Sequence, residues 1–174
     1  MGAPTSVTFD DLREGDALAR LVDAGESEFV ERKVAEPTVG WGPIVSALAN
    51  TAGGWLLVGV ADKDVDGRAE IAGFAPPGRA DIGDWLRDKL ATQLEEVPSF
   101  RAELLRCRGR DLGVVRVPLS TSGPHFMLDG RVYIRENRRT VLVTRRAQLL
   151  EILARASASH EQGLEGCTPP APRL

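Results

Sequence analysis

The run Trp55-Leu56-Leu57-Val58-Gly59-Val60 constrains this chain most, because it is apolar without alternation. Such a run predicts a strand covered on both faces, in the middle of a sheet. It follows at once on Ala49-Asn50-Thr51-Ala52-Gly53-Gly54, the end of a predicted helix over Trp41 to Thr51. Pro43 falls in that helix's first turn, and Ile44, Val45 and Leu48 make its buried stripe. The glycine pair has two expected jobs. One glycine takes the left-handed cap that stops the helix, and the other lets neighbouring backbone approach closely.

The second informative stretch is Gly25-Glu26-Ser27-Glu28-Phe29-Val30-Glu31-Arg32-Lys33, which is too short for a comfortable helix. In a strand, Phe29, Glu31 and Lys33 share one face while Glu28, Val30 and Arg32 share the other. Glu26 lies where the chain leaves a turn at Gly25, so it can converge with Glu31 on one site, although periodicity does not force it to.

At 174 residues the chain can build one domain with a real core. No apolar run approaches the roughly 20 residues that cross a bilayer, so no membrane partner is expected, and the N-terminus has no signal pattern. Cys107 and Cys167 are far apart and make no disulfide framework, which fits a reduced, cytoplasmic setting. Charge is unevenly distributed. Residues 1–100 hold 9 Lys/Arg against 18 Asp/Glu, whereas residues 101–174 hold 13 against 7, and all of those cations are arginines. Such a back half suits polyanion binding beside a carboxylate cluster, or else it is a solvated arginine surface.

Before the acidic strand, Thr8 to Ala24 reads as a helix with Thr8 as cap and Asp10 and Asp11 in its first turn. After the central strand, Asp62, Asp64, Asp66 and Gly67 resemble the opening of a calcium loop. Gly73 stands where the closing glutamate belongs, so an Asp-rich turn between strands is preferred. Asp62 sits at the end of the central strand, where sheet-borne sites usually lie. Asp81 can cap a third helix. Phe100–Cys107 and Leu112–Leu119 predict a hairpin across Gly109-Arg110-Asp111, with Ala102, Leu104, Val115 and Val117 on its core face. Asp129-Gly130 marks a turn before a strand at Val132-Tyr133-Ile134. Val141-Leu142-Val143 adds a short strand, and a last helix runs from Thr144 to about Ala156. Residues 1–7 read as an extension, 8–156 as the domain and 157–174 as a disordered tail.

Taken together, Glu26-Ser-Glu-Phe-Val-Glu31-Arg-Lys33, Ala49-Asn50-Thr51-Ala52-Gly53-Gly54, Val58-Gly59-Val60 and Gly130-Arg-Val-Tyr133-Ile134-Arg135 resemble the Schlafen-type AlbA-like DNA-binding domain family. The Asn50, Thr51, Gly53, Gly54 motif with its following apolar strand is the most specific element. Two positions depart from the family pattern: Arg32 stands where an apolar residue is usual, and Glu136-Asn137-Arg138-Arg139 replaces a frequent glycine. The resemblance implies a mixed α/β domain, one mixed sheet packed by three to four helices, and a homodimer that could supply a second lobe. No Gly-Lys-Ser/Thr phosphate loop is present, so no nucleotide cofactor is expected.

Three functions follow from the resemblance. The first is a nucleic-acid-binding module, RNA or DNA, whose contacts are Arg131, Arg135, Arg138 and Arg139. The second is an endoribonuclease. There Glu26, Glu31 and Asp62 (Asp64 as fallback) would hold Mg2+ or Mn2+, and Lys33 would steady charge on the phosphate. The third is a non-catalytic interaction domain, with Glu26 and Glu31 simply paired to Arg32 and Lys33. Asn50 is equally readable as a helix-end cap. His125, with no partners for a Ser-His-Asp grouping, reads as a surface residue.

Overall fold

The computed structural model describes residues 7–65 and 68–164, apart from the side chains of 62–65, 79 and 156–164. The apolar run forms β2 (Gly54–Val58) in a four-stranded mixed sheet, and every one of its residues is buried. It pairs in parallel with β1 (Val30–Lys33) and antiparallel with β6 (Arg110–Val117). The edge beyond β6 is β5 (Arg101–Cys107). Trp55 and Leu57 point into one apolar cluster, and Leu56 and Val58 into another on the opposite face. Each buried Leu or Val side chain stabilises by about 1.5–3 kcal/mol, so both clusters are anchored on this strand.

The first cluster is closed by α1 (Phe9–Arg13) and α2 (Ala17–Asp23), with Phe9 edge-on to Trp55. The single helix expected from Thr8 to Ala24 is therefore two. Thr8 caps the first through a reciprocal bond with Asp11, and Gly15, at φ 55°, turns the chain between them. The second cluster is closed by α3 (Gly42–Thr51) and α4 (Ile82–Ala91). The Asp81 carboxylate caps α4 by accepting from the Gly83 and Asp84 amides. Helix α3 is also the crossover that lets β1 and β2 run parallel.

Both glycine jobs are visible. Gly53 has φ 71° and ends α3, while a Cβ on Gly54 would lie 2.5 Å from the Phe29 carbonyl oxygen. The β5–β6 turn is shifted by one step. Arg108 and Gly109, both at positive φ, make it, and Arg110 and Asp111 already belong to β6. Leu104, expected in the core, is 42% exposed because β5 is an edge strand with no layer over that position.

Two ribbons stand outside the main sheet. One is β3 (Val60–Val65) with β4 (Arg68–Ile71), so Asp62 and Asp64 lie within a strand and not in the turn expected there. The other is β7 (Tyr133–Glu136) with β8 (Arg139–Leu142), which packs against α3. The last helix, α5 (Arg146–Leu164), continues past the expected end at Ala156. The Ala-, Glu- and Gln-containing sequence there has no interior proline to stop it. Among the described residues, no helix is long and apolar enough to cross a membrane.

Candidate nucleic-acid interface

Glu31 lies mid-strand in β1, in register with Leu56, and so faces the α3 side of the sheet. Its side chain is only 7% exposed, and both carboxylate oxygens meet cations. Oε1 is 2.6 Å from the Lys33 Nζ, and Oε2 accepts from the Arg135 guanidinium, whose side chain is fully buried. Strand parity brings Lys33 to the same face, as expected. Glu26 joins from the preceding turn: its Oε1 is 3.5 Å from the Lys33 Nζ and 3.4 Å from the Arg32 amide nitrogen. The structure thus brings Glu26, Glu31 and Lys33 together beside a cleft of about 250 Å3 that Tyr133 and Thr140 also line.

Arg135 is buried, and not on the phosphate-contacting surface expected of it. Its guanidinium also donates to the Thr140 hydroxyl (3.2 Å) and the Ser27 carbonyl (2.7 Å), and its amide donates to the Thr51 hydroxyl (2.8 Å). A cation with that many acceptors inside the fold is a pin between β7, β1 and α3. Period-two alternation puts it on the inward face with Tyr133, which is the sequence signal for its burial.

Asn50 is a second pin, not a cap. Its amide donates to the His125 carbonyl (3.2 Å) and the Tyr133 carbonyl (3.0 Å), and its oxygen accepts from the His125 amide (2.8 Å). The exposed end of α3 is closed instead by Arg155 of α5, which donates to the Thr51 and Asn50 carbonyls. Nothing in the sequence around Arg155 announces that role, since it depends on where α5 docks.

The proposed metal ligands form a compensated set. Two carboxylates, Glu26 and Glu31, face two cations, Lys33 and Arg135, and a divalent ion at Glu31 would have to displace the Lys33 ammonium. Asp62 lies in β3 beyond the bend at Gly59, and its side chain, like that of Asp64, is outside the described residues. Among the described residues, no three His, Cys, Asp or Glu side chains are grouped to hold a metal.

The remaining arginines behave differently from Arg135. Arg138 and Arg139 sit at the tip of the β7–β8 ribbon, and Arg145 and Arg146 follow it; all four are exposed. None of the four makes an ion pair with a described residue. Arg131 is also exposed, but its Nε donates to Asp129 at 2.7 Å, and its guanidinium lies 5.8 Å from the Tyr133 ring centroid. That contact holds the Asp129 carboxyl below its usual range.

His125 is buried, not a surface residue. Its Nδ1 lies 3.0 Å from the Glu96 carbonyl oxygen, which can only accept, so Nδ1 carries a proton. Its Nε2 is 3.0 Å from the Ser120 hydroxyl. The pairing of Asn50 with the His125 backbone is what draws the ring inward.

No curated protein matches the chain. Among solved structures, it is 26% identical to the DIP2311 protein from Corynebacterium diphtheriae, with TM-score 0.52. That match covers 72% of this chain but only 23% of the other. It is 24% identical, with TM-score 0.47, to the N-terminal domain of a RecG-related protein from Nitrosomonas europaea, covering 79% of this chain and 88% of that domain. The family model described as Schlafen, AlbA_2 matches residues 26–144, from the first glutamate of the acid cluster to just past the β7–β8 ribbon. That span contains the acid cluster, the glycine-bounded strand and both pins, and the chain belongs to the Schlafen, AlbA_2 family.

Proposed function

We propose that this chain binds nucleic acid, contacting phosphates through Arg138, Arg139, Arg145 and Arg146. The observation that carries this reading is a charge asymmetry within one region. The acid cluster under the ribbon is neutralised internally, by Lys33 and Arg135, while the arginines on top are exposed and have no ion pair to a described residue. Two pins, Arg135 and Asn50, fix the ribbon that presents Arg138 and Arg139, and Arg145 and Arg146 follow it. Exposed guanidinium groups suit phosphodiester oxygens, and contacts of this kind position a protein without reading sequence. Membership of the family supports the same reading.

The expected role of Glu31 as a metal ligand gives way, in this proposal, to a role as the buried counter-charge of Arg135. The test is binding of labelled duplex DNA, single-stranded DNA and transfer RNA in chelator. The same binding is measured for a variant with Arg138, Arg139, Arg145 and Arg146 changed to Ala. Retention by the parent and loss in the variant is the expected result. Equal binding by both would remove the proposal. Adding Mn2+ to the same reactions tests the nuclease expectation, since cutting that disappears in Glu31→Gln but survives in a fold-matched control would restore it.

A further inference from the structure

A second concavity lies away from the acid cluster. It lies on the opposite face of the sheet, where α1 and α2 meet the start of β4 and the β5–β6 turn, and encloses about 640 Å3. Five arginines line it: Arg13, Arg20, Arg68, Arg106 and Arg108. Asp16 and Asp23 line it with them, and Asp10, Glu103 and Asp111 reach Arg13 and Arg106 from outside the lining, which leaves Arg20 and Arg68 as the lining arginines with no salt bridge to a described residue. This cluster of arginines is a local feature of a chain whose formal net charge is −3.

The arginines fall into two groups. Arg13 and Arg108 are held from behind: Arg13 donates to Glu103 at 2.6 Å, and Arg108 pairs with Asp23 and donates to the Ala69 carbonyl. Asp23 is itself fixed by accepting from the Ala69 amide at 3.1 Å. The Arg20 and Arg68 side chains are exposed and make no hydrogen bond or salt bridge with a described residue, although Arg68 is near enough to Asp23 to favour its ionised form. Arg106 donates to the Gly109 carbonyl at 3.1 Å and lies 3.7 Å from Asp111. Leu12, Leu18 and Leu105 line the same cleft, and low-dielectric walls concentrate the field of nearby charges. Fixed guanidiniums beside free ones, over an apolar floor, make a site for a multiply charged oxyanion. Arg13, Arg20 and Asp23 precede residue 26, so the family match does not include half of this cleft.

We propose that this arginine cleft binds a phosphate-bearing ligand, independently of the ribbon on the other face. The phosphate could belong to a small phosphorylated molecule or to a nucleic-acid backbone, and the chemistry recognised is the same. The test titrates the full chain with inorganic pyrophosphate and, separately, with a 5′-phosphorylated single-stranded oligonucleotide, following calorimetric heat and amide chemical shifts. Binding of pyrophosphate with shifts confined to α1, α2 and the β5–β6 turn is expected. The variant Arg20→Ala/Arg68→Ala, which breaks no salt bridge with a described residue, should weaken it at least tenfold, as expected for losing charge-assisted contacts (about tenfold per 1.4 kcal/mol). Arg138→Ala/Arg139→Ala should leave it unchanged.

No saturable binding at millimolar pyrophosphate would overturn the proposal, as would equal affinity in Arg20→Ala/Arg68→Ala. If the oligonucleotide competes with pyrophosphate, the natural source is a nucleic-acid backbone; if it does not, the source is a small phosphorylated molecule. Because the ribbon variant is scored separately, loss of DNA binding there does not bear on this cleft.

Discussion

Glu31 and Arg135 form the contact whose removal should be felt most. Breaking a buried pair by taking one partner leaves a charge with no counter-ion, which costs about 3–5 kcal/mol. Glu31→Gln should therefore lower the midpoint of thermal unfolding by on the order of 8 °C in a domain of this size. Replacing both partners by apolar residues should cost less than either single change, and calorimetry on the three variants checks this. Asn50→Ala strips partners from the His125 amide and carbonyl and from the Tyr133 carbonyl. At about 1–3 kcal/mol for each unsatisfied buried group, it should rival Glu31→Gln.

Asp23 gives a pH-dependent prediction. The bond from Arg108 holds its carboxyl below the usual carboxylate range. A depressed folded value means stability that is present above about pH 4 and lost as pH falls through the folded value. Asp23→Asn should thus be less stable than the parent near neutrality, by about 1 kcal/mol or less for so exposed a pair. The gap should close under acid. Urea unfolding at pH 7 and pH 3 measures both ends; a gap that stays constant would count against the pairing.

At the level of elements, the glycine-bounded strand is the part of the fold most plainly written in the sequence. Its lack of alternation required two covering layers, and the structure has them. Gly53→Ala should be costly, by about 2 kcal/mol, because a Cβ there would lie 2.7 Å from the Val117 oxygen at positive φ. Strand parity also foresaw that Glu31 and Lys33 share a face. What could not be read were partners supplied by distant segments. Arg135 meets Ser27, Glu31 and Thr51, all far upstream, so its burial depends on the docking of the β7–β8 ribbon. The burial of His125 depends on a distant partner in the same way. Local polarity suggested a loop surface, but Asn50 draws that backbone into the core. The break between α1 and α2 is carried by Glu14-Gly15-Asp16, while the apolar spacing on either side of it favours one continuous helix.

Across the whole molecule, the sheet separates two cationic surfaces. One is the ribbon face, supported by the neutralised acid cluster; the other is the arginine cleft beside α1 and α2. The acidic balance of residues 1–100 is thus a poor guide to either. Some of its carboxylates are spent inside the fold, as Glu31 is on Lys33 and Arg135, and Asp23 is on Arg108. A salt titration of duplex DNA binding, by fluorescence anisotropy, examines the ribbon's role most directly. Affinity of the parent should fall steeply with salt. The slope of log affinity against log salt should lose about 0.9 for each phosphate contact removed with Arg138, Arg139, Arg145 and Arg146. An unchanged slope in that variant, or no binding by the parent at low salt, would contradict it.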